Sequence, residues 1–138
     1  MSNYLPIIII FTLATGYGIW YQRSRGKVKS KAKRASVKPL AGSEIGGDLG
    51  TRATFVQFSS AFCTPCRATR VLLTDITSNL ADVRHIEIDA EKNLDLVRKL
   101  DIRSTPTTLV LDKNGVEIGR AIGAPKRTEI LETLANIR

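Results

Sequence analysis

The chain has 138 residues, 43% hydrophobic and 25% charged, which is room for one folded domain of ordinary composition. Its two cysteines are too few for a disulfide-stapled scaffold. The net charge of +8 belongs to one stretch, because Arg23, Arg25, Lys27, Lys29, Lys31, Lys33, Arg34 and Lys38 stand together without an acid, while the other basic residues balance the 13 acids.

Residues 5–21, LPIIIIFTLATGYGIWY, form an uncharged run. At about 1.5 Å per residue it spans roughly 26 Å, close to a hydrocarbon core of about 30 Å. The run predicts a transmembrane anchor over residues 1–22, with Pro6 in its first turn and Tyr4, Trp20 and Tyr21 at the interfaces. A cleaved signal peptide, with Ala14 and Gly16 near its end, is the competing reading, but no basic residue precedes the run. The basic flank that follows it places the N-terminus outside and the rest of the chain in the cytoplasm. Residues 23–50 are expected to be a solvated linker, basic and then glycine-rich, lying along an anionic leaflet where each basic residue contributes about 1 kcal/mol. Nucleic acid is the less favoured partner, since neither interleaved aromatics nor a binding module accompanies the charge.

Regular periodicity begins at Ala53. The glycine-rich segment 39–51 reads as a loop with at most one short edge strand, and ATFVQF (53–58) as a buried strand. A helix is predicted over Cys63 to Leu80, with Ala68, Val71, Leu72, Ile76 and Leu80 facing inward. Val83 to Asp89 forms a second strand, and a helix through Leu94, Val97 and Leu100 follows. Thr107 to Leu111 and Val116 to Ile122 flank Asp112-Lys113-Asn114-Gly115 as a hairpin, before a last helix from Lys126 with Ile130, Leu131, Leu134 and Ile137 on one face. The order β-α-β-α-β-β-α over residues 51–138 implies an α/β fold with a mixed central sheet flanked by helices.

Both cysteines lie in Cys63-Thr64-Pro65-Cys66, after a strand and at the start of a helix. The unpaired N–H groups and positive dipole end of a helix favour a thiolate there. Lowering a thiol pKa from about 8.5 to about 7 corresponds to about 2 kcal/mol of thiolate stabilisation. Cys63 at the helix start is the expected nucleophile, and Cys66, one turn on, the more buried resolving thiol. Half a zinc site and two inert core cysteines are the alternatives; a structural zinc site needs four ligands, and two cysteines and one histidine supply three. His85 alternates with Ile86 and Ile88 in the manner of a strand residue facing solvent, and Arg67 and Arg70 read as solvated helix charges.

The segments FVQFSSAFCTPCRATRVLLTDI, HIEIDAEKNLDLVRKLDIRSTPTTLVLDKNGVEI and GAPKRTEILETL together resemble the thioredoxin family, over about Ala53 to Ile137. The resemblance implies a thioredoxin-like fold, reversible dithiol–disulfide exchange, and a cis peptide at Thr105-Pro106 whose loop binds the substrate chain. It makes Phe62, Pro65 and Gln57 the support of the cysteine pair. Three departures stand out. Gln57 occupies the place of a buried aspartate and cannot take a proton, Phe62 replaces a tryptophan while keeping an apolar shield, and Ser59-Ser60 replaces a Trp-Ala pair. His85 occupies a position where the family often has a lysine near the buried acid, which makes assistance of proton transfer to or from Cys66 the alternative to a solvated strand residue, and the region before Ala53 is too short for the family's first strand and helix. The function expected is a membrane-tethered, monomeric thiol–disulfide oxidoreductase acting on protein disulfides and recharged by an upstream dithiol donor or reductase. It needs no cofactor beyond the cysteine pair and no metal. The alternatives are a redox-inactive binding module and, with the orientation reversed, an extracytoplasmic disulfide-handling or cytochrome-maturation protein.

Overall fold

The structure, a computed structural model, describes residues 4–24, 28–30 and 38–137. In chain order its elements are α1 (Leu5–Ser24), β1 (Val28–Ser30), α2 (Gly42–Ile45), β2 (Ala53–Ser59), α3 (Thr64–Ser78), β3 (Val83–Asp89), α4 (Leu94–Lys99), β4 (Thr107–Asp112), β5 (Glu117–Ile122) and α5 (Arg127–Ala135). The strands lie in the order β1-β5-β4-β2-β3, with β2 and β3 parallel and every other pair antiparallel. The mixed sheet and the β-α-β-α-β-β-α order therefore hold from β2 to α5.

All seven residues of β2 are buried, because helices cover the strand on both sides. The two-residue period of the strand sorts its side chains between two cores. Ala53 and Phe55 join Val83 and Val110 against Leu73 and Ile76 of α3 and Ile130 and Leu134 of α5. Val56 and Phe58 join Ile88, Leu109 and Leu111 on the other face, against Leu100, Ile102, Leu40 and Ile45. Each fully buried Phe or Leu contributes about 1.5–3 kcal/mol by leaving water.

Three expectations need correction. The inward stripe of α3 is Cys66, Thr69, Leu73 and Ile76, while Ala68 and Val71 are exposed. Thr69 can be buried because its hydroxyl donates to the Pro65 carbonyl at 2.9 Å. The second correction concerns the linker over residues 23–50. Leu40 and Ile45 belong to the core, and the glycine-rich segment contains the short helix α2 instead of a strand. Leu40 donates its N–H to the Gly115 carbonyl at 2.9 Å. Gly115 has φ +81°, and a Cβ there would stand 2.1 Å from the Leu40 carbonyl oxygen, so the turn and the close approach both require glycine. Glu44 of α2 accepts the Ala41 N–H at 3.0 Å and pairs with Lys99 of α4. Third, Val28–Ser30 within the basic stretch pairs with Gly119–Ala121 of β5, where the edge strand offers unpaired backbone groups. Arg25, Lys27, Lys31, Lys33 and Arg34 lie outside the described residues.

On β5 the Arg120 guanidinium grips Glu117 with two hydrogen bonds of 2.8 and 3.0 Å, both side chains nearly buried. It also donates to the carbonyls of Leu100 and Asp101 at 2.9 and 3.3 Å. A cation thus caps the C-terminal end of α4 and fixes the chain entering Thr105-Pro106.

Removing the Leu40 side chain leaves a cavity under β4, and Leu40→Ala is expected to cost about 2–5 kcal/mol. Arg120→Met, which strips Glu117 of its guanidinium, is expected to cost about 3–5 kcal/mol. Urea unfolding of each variant against wild type measures both.

Candidate redox centre

The chain leaves β2 at Ser59 and enters α3 through Cys63, which is the N-cap residue with extended backbone angles. Its sulfur accepts the Cys66 N–H at 3.2 Å, the role that a serine or aspartate oxygen usually plays at a helix start. Pro65 sits in the first turn, where a missing N–H costs nothing, and is exposed. Cys63 and Cys66 are joined in a disulfide. Cys63 is half-buried, whereas Cys66 is only 1% exposed. A reagent therefore reaches the first sulfur and not the second. After reduction, the same N–H and the helix dipole favour negative charge on Cys63.

The end of β2 lies beside the start of β4, with Phe58 opposite Thr107. That register brings the cysteine loop to the Thr105-Pro106 loop. The Ser60 and Thr105 hydroxyls are hydrogen-bonded at 2.9 Å, the Thr105-Pro106 peptide is cis, and the Gly123 N–H donates to the Pro106 carbonyl at 2.8 Å. Phe62 does not shield the pair. It is 96% exposed and has φ +60°, a left-handed conformation unusual for a bulky side chain, so its ring projects into solvent beside Cys63.

Beneath α3 the sheet presents a polar layer. The Gln57 Nε2 donates to the Cys66 carbonyl at 2.8 Å and to Ser59 Oγ at 3.0 Å. A carbonyl only accepts, so the amide nitrogen must face Cys66, which turns Oε1 toward His85 Nε2 at 3.1 Å. His85 Nδ1 lies 3.4 Å from the Thr74 hydroxyl of α3. His85 is thus not the solvent-facing residue that its alternation suggests. It does point away from Ile86 and Ile88, but α3 covers that face. Arg70 is exposed, as its helix position suggests, and it also pairs across to β3, where its Nη2 donates to Glu87 Oε1 at 2.7 Å and its Nε lies 2.5 Å from Oε2. Arg67 is exposed, as expected. Burial pushes the His85 pKa below its ordinary 6.5; Glu87 opposes that shift and Arg70 adds to it. Burial raises the Glu87 carboxyl, but hydrogen bonds from Arg70 and Ser59, with the Arg70 charge, outweigh it and hold the group below the usual carboxylate range.

Sequence reasoning missed the bond of Ser60 to Thr105 beside the cysteines and, in this layer, Thr74 and the Arg70–Glu87 pair. The hydroxyls after a buried strand were the available signal for Ser60. Glu87 becomes a neighbour of Gln57 only through the parallel register of β2 and β3, which pairs the two positions. Among the described residues no group of three or more His, Cys, Asp or Glu is arranged to hold a metal ion.

A C-x-x-C pair opening a helix beside a cis-proline loop, on a mixed sheet of this topology, defines a thioredoxin-fold centre. The chain belongs to the thioredoxin family, whose family model matches residues 48–136. It is 31% identical over 72 residues to thioredoxin H5 of rice, covering 52% of this chain and 53% of that protein. With the thioredoxin of Mycoplasma genitalium it shares 31% identity over 81 residues, 59% of this chain and 78% of the relative. The chain thus spans only about half the length of thioredoxin H5. Among solved structures, a thioredoxin from Nicotiana alata superposes with a TM-score of 0.57 at 25% identity, over 64% of this chain and 75% of that one.

Because the fold depresses the His85 pKa, the folded chain binds that proton less readily than the unfolded chain. The His85 contribution to stability is complete above pH 6.5 and is lost as pH falls below it, until His85 itself titrates in the folded state. The urea midpoint, followed from about pH 8 to about pH 5, should fall more steeply for wild type than for His85→Gln.

Proposed function

We propose that the chain is a membrane-tethered thiol–disulfide oxidoreductase that reduces protein disulfides through Cys63 and Cys66. The observation that carries this reading is the asymmetric pair at the start of α3, one sulfur reachable and N-capping, the other buried, with the cis Thr105-Pro106 loop tied alongside through Ser60. In the reductive direction the Cys63 thiolate attacks a substrate disulfide. A Cys63–substrate bond forms, and the second substrate sulfur leaves with the electron pair and takes up a proton. Cys66 then attacks Cys63, the mixed disulfide breaks, and the substrate departs reduced. The Cys63–Cys66 disulfide is the product state, which an upstream dithiol donor or reductase returns to the dithiol. The Thr105-Pro106 backbone offers the extended substrate chain a pairing edge, and exposed Phe62 adds an apolar contact beside Cys63.

Membrane attachment is supported by α1, which is apolar, long enough to cross a bilayer, and exposed along its whole length. Isoleucines left in water at Ile7 to Ile10 favour a lipid surround. A redox centre on the cytoplasmic side, where thiols are kept reduced, is supported by the basic residues that follow the apolar run.

Insulin reduction driven by dithiothreitol tests the chemistry. Cys63→Ser should abolish the catalysed rate, and equal rates for variant and wild type would favour a redox-inactive binding module. Cys66→Ser should accumulate mixed disulfides with substrates, which migrate as adducts on a non-reducing gel. In intact cells a membrane-impermeant thiol reagent should leave the cysteines unlabelled until the membrane is permeabilised; labelling without permeabilisation would overturn the cytoplasmic assignment.

A further inference from the structure

The polar layer under α3 contains a histidine that the exchange chemistry does not use. His85 is the one histidine of the chain, and it reaches Cys66 through a single side chain. The tautomer follows from the partners. Gln57 Oε1 can only accept, so the His85 Nε2 carries a hydrogen, and in the neutral ring Nδ1 accepts from the Thr74 hydroxyl. When His85 gains a proton, Nδ1–H donates to the same hydroxyl and the Nε2–H bond to Gln57 persists. Protonation therefore changes the charge of the layer and leaves its hydrogen-bond pattern in place. The charged groups facing the ring are Glu87 on its own strand and Arg70 on α3, already paired with each other, while β2 contributes the neutral Gln57.

Resting on the oxidoreductase reading, we propose that His85 is a positioning residue for the resolving step, holding the Gln57 amide on the Cys66 carbonyl and, by its charge, setting the pH at which Cys66 displaces the substrate from Cys63. In that step the Cys66 S–H bond breaks and a Cys66–Cys63 bond forms. The Cys63–substrate bond breaks with its electron pair going to the substrate sulfur, which takes up one proton for the one that Cys66 loses. An imidazolium one side chain away favours the Cys66 thiolate, so as pH falls the ionised fraction of Cys66 declines less than that of a lone thiol. Gln57 cannot supply this effect, because it carries no charge at any pH.

The test uses the full chain carrying a 2-nitro-5-thiobenzoate mixed disulfide on Cys63, with release of the coloured thiolate followed in single turnovers from about pH 5 to about pH 8. His85→Gln keeps an N–H donor for Gln57 and removes the titration. Wild type and variant should agree near pH 8 and separate below pH 6.5, with wild type at least about threefold faster near pH 5, the factor given by a half-unit change in thiol acidity. A ratio that stays constant across the range would mark a purely structural role and overturn the proposal. Wild type alone supplies a second measurement. The NMR titration of the single histidine locates its midpoint, across which the logarithm of the release rate should fall by less than one decade per pH unit. A full decade per unit throughout also overturns the proposal. Absence of release at any pH would instead sink the oxidoreductase reading, and this inference with it.

Discussion

A strand buried on both faces has no place for a polar side chain except against a partner, and β2 carries Gln57 under those terms. The amide meets them by bonding Ser59, His85 and the carbonyl of Cys66. That last bond ties the centre of the sheet to the first turn of the helix that carries both cysteines. Leaving an amide unpaired at such depth would cost about 1–3 kcal/mol, so the polar layer under α3 is a consequence of where the strand lies. A carboxyl there would add a second titrating group to the layer. With glutamine, charge under α3 comes from His85, Glu87 and Arg70, and the last two largely cancel each other.

The redox centre is assembled from three strands and two loops. β2 delivers the cysteine loop, and its antiparallel neighbour β4 delivers Pro106 to the same end of the sheet. The Ser60–Thr105 bond joins those loops, and the Gly123 N–H holds the Pro106 carbonyl from β5's side. Farther back, Arg120 fixes the carbonyls of Leu100 and Asp101 just past α4, from which the proline loop departs. The positions of the two cysteines and the cis-proline thus depend on hydrogen bonds between segments far apart in sequence, each satisfying groups that burial would otherwise leave unpaired.

Much of this was legible beforehand where the signal is local. The strand-to-helix placement of Cys63-Thr64-Pro65-Cys66 and the hairpin around Asn114-Gly115 depend on neighbouring residues alone, and the structure has them where the pattern puts them. Readings that assumed solvent on one side fared worse. His85 alternates correctly with Ile86 and Ile88, yet α3 packs over its face of β3, so the ring is half-buried instead of facing solvent. The face of α3 was misjudged because apolar character favoured Ala68 and Val71 over Thr69, whose hydroxyl is satisfied within its own helix. Leu40 looked like linker because glycines surround it, and only the turn at Gly115 gives it a place to dock. Phe62 has no local feature that announces a left-handed backbone.

The sequence by itself determined the element order from β2 to α5, the pairing of cysteines one turn apart at a helix start, the apolar N-terminal run and the confinement of charge to one stretch. These follow from periodicity, spacing and composition, which act over a few residues. Only the tertiary structure decided that Cys66 is buried while Cys63 is half-exposed, that Gln57 and His85 lie in one chain of hydrogen bonds, that Arg70 pairs with Glu87, and that Leu40 belongs to the core. Each of these depends on strand register and on which helix covers which face. Register and packing are set by burial of the whole core, a sum over distant residues that no short window of sequence contains.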